Sequence, residues 1–112
     1  MPFVLSNKPT YRFKVVVKRP NDESGGWDAF EFLGEFKRLA QTEIDALFKE
    51  KLPEDLPLLE RVWIGWSGVK TAEGTELEVN ASNRTLLLAE PGVRTALLRA
   101  WLESAVTGPA KN

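Results

Sequence analysis

The residues best suited to chemistry in this sequence are an aspartate and a downstream Glu-x-Lys pair. Asp22 precedes Glu35 and Lys37, and two carboxylates with a lysine in this order could hold a magnesium ion and assist a water that attacks a phosphodiester. Strand alternation places Glu35 and Lys37 on one face, but Glu31 and Leu33 share that face, which is typical of a surface turned to solvent. Asp22 falls in a polar turn that nothing holds in place. The pattern therefore favours a solvated ion-pair face over a metal site.

Histidine and cysteine are absent from the chain. It therefore cannot build a Cys/His zinc site, a disulfide, a thiol nucleophile or an imidazole base. Its two glycine-rich stretches do not form phosphate loops. Ser24-Gly25-Gly26 lacks a following helix and lysine, and Gly65-Trp66-Ser67-Gly68 has a tryptophan where the backbone would have to approach a phosphate. We expect no catalytic residue, no metal ligand and no cofactor, and hence a protein that is not an enzyme.

A basic strand near the start of the chain carries aromatic residues, a combination that nucleic-acid readers use. Alternation puts Arg12, Lys14 and Lys18 on one face and Tyr11 and Phe13 on the other, so no single face can both stack bases and neutralise phosphates. The chain has 15 basic and 16 acidic residues and a formal net charge of -1, which exerts no general attraction on nucleic acid or an anionic membrane. The sequence predicts neither partner.

Four tryptophans in 112 residues indicate a large apolar surface that the core or a partner must bury. Trp63 and Trp101 lie on predicted helical stripes, so we expect them in the core. Trp27 opens a strand after two glycines, and Trp66 lies between glycines at a predicted helix end. We expect Trp27 and Trp66 to contact a partner.

The elements that must position these residues begin with a β-hairpin. Residues 10–19 and 27–38 alternate apolar and polar side chains, and a polar, glycine-rich turn separates them. A lone two-stranded ribbon is only marginally stable in water, so helices or another subunit must cover its aromatic face. That face consists of Tyr11, Phe13, Phe30, Phe32 and Phe36.

Helical patterns follow the hairpin. The first predicted helix has Thr42 as its cap and stops at Pro53. A second is predicted to begin around Asp55 to Pro57, because aspartate is a good cap and proline is tolerated in the first turn, and its apolar residues form one stripe at helical spacing. The stripe consists of Leu58, Leu59, Val62, Trp63 and Trp66.

Two further helices complete the predicted fold. Asn80 or Ser82 can cap a short one, and Glu90-Pro91 opens the last, whose apolar face has a clear helical period. We therefore predict an α+β fold, in which an N-terminal antiparallel β-hairpin packs on three or four α-helices. The face of the last helix comprises Val93, Ala96, Leu97, Ala100, Trp101 and Ser104.

Length and composition predict one domain over residues 1–108 and a flexible tail over residues 109–112. The 112 residues suit a single core, and 43% hydrophobic with 28% charged residues is ordinary for a folded protein. The stretch 1–7 is too short for a signal peptide, and no apolar run approaches the roughly 20 residues that span a bilayer. We expect a cytoplasmic protein.

Three motifs in the same order along the chain resemble the tail assembly chaperones of long-tailed bacteriophages. The start reads Met1-Pro2-Phe3-Val4-Leu5-Ser6, a Gly65-Trp66-Ser67-Gly68-Val69 box lies between two predicted helices, and a Pro91-Gly92 helix start follows. The resemblance covers nearly the whole chain. Each motif is short and made of common structural residues, so the collinear order carries the resemblance.

The resemblance implies a phage or prophage protein that works without catalysis in the host bacterial cytoplasm. Such chaperones bind the long, helical tape measure protein and assist assembly of the tail tube around it. A longer, frameshifted form would contact the tail tube protein, and Ala110-Lys111-Asn112 could be encoded by a slippery sequence. We expect self-association into a homo-oligomer, because the aromatic ribbon is larger than the short helices can cover. The alternatives are a tube or tail completion protein that stays in the virion and, more remotely, a metal-dependent nuclease.

Overall fold

A computed structural model describes residues 8–49 and 55–107 of the chain. It confirms the α+β class: the described residues form three strands, four α-helices and a π-helical segment. Residues 1–6 of the opening motif, Pro53 and the tail 109–112 lie outside the described residues. The elements in chain order are β1 (Thr10–Pro20), β2 (Trp27–Lys37), α1 (Gln41–Lys49), α2 (Asp55–Val62), β3 (Trp63–Ser67), α3 (Ala81–Ala89), α4 (Val93–Trp101) and the π-helical segment Leu102–Thr107.

The predicted hairpin is confirmed, with its bounds within one residue of those expected. β1 and β2 pair antiparallel from Thr10 opposite Lys37 to Pro20 opposite Trp27. In the turn, the Asn21 side-chain oxygen accepts hydrogen bonds from the backbone N–H groups of Glu23 and Ser24. This register puts the predicted aromatic face, with Val15 and Val17, on one side of the hairpin and most of the charges on the other.

A third strand was not predicted. β3 pairs antiparallel with β2 to give the sheet order β1-β2-β3, so Trp63 and Trp66 lie on a strand and not on a helical stripe. The register shifts by one residue, because Trp63 pairs with Phe36 and Gly65 with Glu35, which leaves Ile64 as an extra, bulged residue. The bulge turns both tryptophans to the core although they are three residues apart. The spacing that imitates a helix is therefore produced by an irregular strand.

The helix starts agree with the sequence in part. The predicted Thr42 cap is wrong: α1 begins one residue earlier, and the Ala40 backbone both accepts from the Glu43 N–H (2.9 Å) and donates to the Glu43 carboxylate (3.3 Å). Glu43 thus supplies the side chain of the cap. α2 begins at Asp55, within the range expected for its start. Asn80 caps α3 by accepting from the Asn83 N–H at 2.8 Å, which decides between the two predicted caps.

The core lies between the inner face of the sheet and the helices. α4 packs along β1 and against α2, and its whole predicted apolar stripe from Val93 to Trp101 is buried. Trp63 and Trp101 are fully buried, as predicted. The largest fully buried side chains are Trp63, Trp101, Phe36, Leu59, Leu97, Val15 and Val62.

Candidate partner-binding groove

The Asp22, Glu35 and Lys37 side chains of the nuclease-like pattern are not brought together. Asp22 lies in the turn at the tip of the hairpin, and Glu35 lies eight residues beyond the start of β2, which at about 3.3 Å per residue is about 26 Å away. The Glu35 carboxylate instead accepts a hydrogen bond from the Thr10 hydroxyl at 3.1 Å. Across residues 8–49 and 55–107, no three acidic side chains form a group that could hold a metal ion.

The basic face of β1 is separated from its aromatic face, as the alternation predicts. Lys14 lies on the outer face and forms an ion pair with Glu31 of β2 at 3.1 Å, with both side chains more than half exposed. Tyr11 lies on the inner face, 5.9 Å from the Phe36 ring. Lys14 therefore pairs with a charge of the neighbouring strand on the face away from the Tyr11 and Phe36 rings.

The two tryptophans predicted to meet a partner differ in their surroundings. Trp66 is only 6% exposed, and its indole N–H donates to the Leu77 carbonyl at 3.0 Å. The partner contact predicted for Trp66 therefore has almost no accessible surface in this chain. Trp27 is 71% exposed at the start of β2, so the contact predicted for it stays open.

An apolar groove lies between the tip of the hairpin and α3. We define it by six side chains, and it encloses about 790 Å³. Phe30 of β2 is 52% exposed along one side and Leu86 of α3 is 61% exposed along the other, so a large apolar side chain on each side remains open to solvent. The six side chains of the apolar groove are Phe30, Phe32, Val69, Leu77, Leu86 and Leu87.

Local sequence explains how the floor of this groove is held. Gly68 has a φ of 85°, which glycine adopts without strain, and it turns the chain out of β3. The segment then folds back on itself, because the Leu77 N–H donates to the Val69 carbonyl at 2.7 Å. Trp66 anchors the same segment through Leu77. Val69 and Leu77 are thereby held side by side beneath the opening.

Ion pairs flank the groove. Glu76 accepts a hydrogen bond from the Gly68 N–H at 2.6 Å and pairs with Lys70 at 3.1 Å. The Gly68 hydrogen bond, followed by Lys70, holds the pKa of the Glu76 carboxyl below its usual value. Arg19 and Glu90 approach to 3.7 Å and link β1 to the loop before α4. The groove thus has an apolar floor and a polar rim.

Sequence reasoning missed Leu86, although a signal for it was present. Leu86, Leu87 and Leu88 follow one another in α3, and successive helical residues are about 100° apart. All three therefore cannot face one core. Leu87 is buried, Leu88 is half-buried, and Leu86 is left to solvent.

Comparisons of the chain with protein-family models, with curated proteins and with solved structures find no match. Among the helices of the described residues, none has the length and apolar character needed to cross a bilayer. The function must therefore be inferred from the surface of the chain itself.

Proposed function

We propose that this chain is a non-enzymatic tail assembly chaperone of a long-tailed phage or prophage, acting in the host bacterial cytoplasm. The observation that carries the proposal is the apolar groove, with Phe30 and Leu86 exposed across an apolar floor. The resemblance in the sequence supplies the class, and the groove supplies a surface for what that class does. Large apolar side chains left open on both sides of a groove are typical of a surface that a partner covers.

The partner in this proposal is an amphipathic helix of the tape measure protein. Such a helix presents apolar side chains at i, i+3, i+4 and i+7, and a groove with an apolar floor and polar rim receives them. Many subunits bound along one extended partner reach high avidity from weak individual contacts and still release when the tube replaces them. The subunit self-associates, and a frameshift-extended form recruits the tail tube protein.

The proposal is tested by co-expression with a candidate tape measure protein, scored by the soluble fraction of that protein. We expect the wild type to keep it soluble. The double variant Phe30→Ser and Leu86→Ser should lose this effect, because burial of the exposed half of each side chain by a partner contributes about 1 kcal/mol, roughly fivefold in affinity per side chain. Both side chains are already exposed, so thermal unfolding should be nearly unchanged.

The matched control removes two exposed apolar side chains that lie outside the apolar groove. Leu33→Ser with Ile64→Ser should keep the tape measure protein soluble. The proposal fails if the wild type has no effect, or if the groove and control variants lose it equally. Abundant copies of the chain in purified virions, measured by mass spectrometry, would favour a tube or tail completion protein instead.

A further inference from the structure

A second groove lies along the free edge of β1, between the outward-pointing side chains of that strand and α4. Val16 and Lys18 point away from the apolar groove, because they alternate with Val17 along β1. We call this the basic groove, and it encloses about 470 Å³ beside Trp27. A narrower continuation of about 210 Å³ shares Val16 and Lys18 and runs along α4 to Glu103. The basic groove is lined by Val16, Lys18, Trp27, Thr95, Ala96 and Arg99.

Two cations in the basic groove have no counter-charge. Three other cations of the described surface, Lys14, Arg19 and Lys70, each pair with a glutamate within 4 Å. Lys18 and Arg99, in contrast, form neither an ion pair nor a side-chain hydrogen bond with another residue of the described ranges 8–49 and 55–107. Their charges are therefore available to a ligand.

Trp27 supplies an uncovered apolar wall next to these cations. It opens β2 opposite Pro20, on the same outer face as Lys18, and is 71% exposed. Tryptophan provides a large apolar surface with little rotamer entropy to lose, which is why it is enriched at binding hot spots. Below it, Val16 and Ala96 give the basic groove an apolar floor.

We propose that the basic groove binds an acidic segment of a partner protein. Carboxylates of the segment pair with Lys18 and Arg99, and one bulky apolar side chain between them packs against Trp27. The proposal rests on this charge complementarity and does not depend on the proposed function, because the basic groove shares none of its lining residues with the apolar groove. A nucleic acid fits less well: Glu31 lies on the same outer face and Glu103 closes the far end, and these carboxylates repel a continuous phosphate chain.

The probe is a short synthetic peptide with leucines spaced among glutamates, compared with the same peptide carrying glutamine for every glutamate. Trp27 fluorescence reports binding at the basic groove, because the other three tryptophans are buried. We expect a titration with the acidic peptide to change the Trp27 fluorescence until it saturates. The affinity of the peptide should fall as the salt concentration is raised. The glutamine peptide should bind at least about fivefold more weakly.

Variants assign the site. Lys18→Gln with Arg99→Gln should weaken the acidic peptide about tenfold, whereas the charge-matched control Lys37→Gln with Arg61→Gln should change its affinity less than about twofold. Lys37 and Arg61 are exposed and lie outside both grooves. Trp27→Ala, followed by calorimetry because the fluorescent reporter is lost, should weaken binding by about tenfold or more. Thermal unfolding should show each variant to be folded, since all five side chains are exposed.

Four results would overturn the proposal. They are no saturable binding of the acidic peptide, equal binding of the glutamine peptide, equal losses in the groove and control variants, and tighter binding of single-stranded DNA than of the acidic peptide. The chain can also change its own Trp27 fluorescence by self-association when no peptide is present. If the Lys18/Arg99 variant abolishes that change, the occupant of the basic groove is a second copy of this chain, and the proposal of an acidic partner segment is wrong. Loss of tape measure solubility in the Phe30/Leu86 variant bears on the other groove alone, so the two proposals can fail separately.

Discussion

At the scale of single residues, Gly92 decides how closely the loop before α4 approaches β1. Its φ of 86° lies in the left-handed region. A Cβ added there would stand 3.3 Å from the Lys18 carbonyl oxygen and 3.5 Å from a Val17 methyl group. Glycine is therefore required twice at this position, for the backbone angle and for the space.

We predict that Gly92→Ala destabilises the chain more than Gly74→Ala does. Gly74 has the same φ of 86°, but nothing lies within 4 Å of an added Cβ, so it reports the backbone strain alone. That strain costs about 1–2 kcal/mol. The crowding against β1 should add about 1 kcal/mol at Gly92. Urea unfolding of both variants measures the difference in their free energies of unfolding. Equal losses of stability would show that an added Cβ near the Lys18 carbonyl has no energetic cost, which would contradict the prediction.

At the scale of elements, one arginine joins α3 to α2 and β3. The Arg84 guanidinium lies 4.4 Å from the centre of the Trp63 ring and donates to the Leu59 carbonyl at 2.9 Å. Its partial burial lowers the Arg84 pKa. A planar guanidinium can stack and donate at once, whereas an ammonium is a compact charge that needs water around it. Since α3 carries Leu86, the same arginine holds one side of the apolar groove.

We predict that Arg84→Lys destabilises the chain by about 1–2 kcal/mol, through loss of the stacking and of the hydrogen bond to Leu59. The control is Arg94→Lys on α4, an exposed residue with no such contacts, which should change the free energy of unfolding by less than about 0.5 kcal/mol. Chemical denaturation followed by circular dichroism compares them. Arg84→Lys should also lower the soluble fraction of the co-expressed tape measure protein, because the arginine contacts that hold α3 against α2 and β3 would be lost. A neutral Arg84→Lys variant would contradict the structural role.

At the scale of the whole molecule, the first strand is tied to the last described segment. The Tyr11 and Ser104 hydroxyls share a hydrogen bond of 2.8 Å across 93 positions of sequence. Burial raises the pKa of the Tyr11 hydroxyl above its ordinary 10.0, an effect that the Ser104 hydrogen bond and the nearby Arg38 charge oppose. The contact joins β1 of the hairpin to the C-terminal π-helical segment.

We predict that Tyr11 makes stability fall at high pH. Because the folded-state pKa is raised, its contribution is complete below the unfolded value of 10.0 and is lost as pH rises through the folded pKa. Tyr11→Phe should cost about 1 kcal/mol at neutral pH through the lost hydrogen bond. The gap between wild type and this variant should then shrink above about pH 10.

The chain has one tyrosine, so phenolate absorbance reports this group directly. Ser104→Ala is the control: it should lose the hydrogen bond at neutral pH but keep the loss of stability at high pH, because Tyr11 remains. Urea unfolding across the alkaline range measures the free energy of unfolding of the wild type and of the two variants. A constant gap between wild type and Tyr11→Phe at every pH would contradict the prediction.

The hairpin and the last helix could be predicted because their periods are local. Alternation along residues 10–19 and 27–38 dictates the faces of β1 and β2, and the helical spacing from Val93 to Trp101 dictates the buried stripe of α4. The third strand could not be predicted, because the bulge at Ile64 gives Trp63 and Trp66 the spacing of a helix. A periodicity argument cannot distinguish the two when the segment is only five residues long.

The sequence by itself determined the α+β class, the antiparallel hairpin, the burial of Trp63 and Trp101, and a chemistry without imidazole or thiol groups. The tertiary structure alone decided that Trp66 is buried while Trp27 is exposed, and that Phe30 and Leu86 lie across one apolar groove. The physical reason is that a residue's face on its own element follows from local dihedral angles. Whether that face is covered depends on which distant elements pack over it, and no local pattern records those contacts.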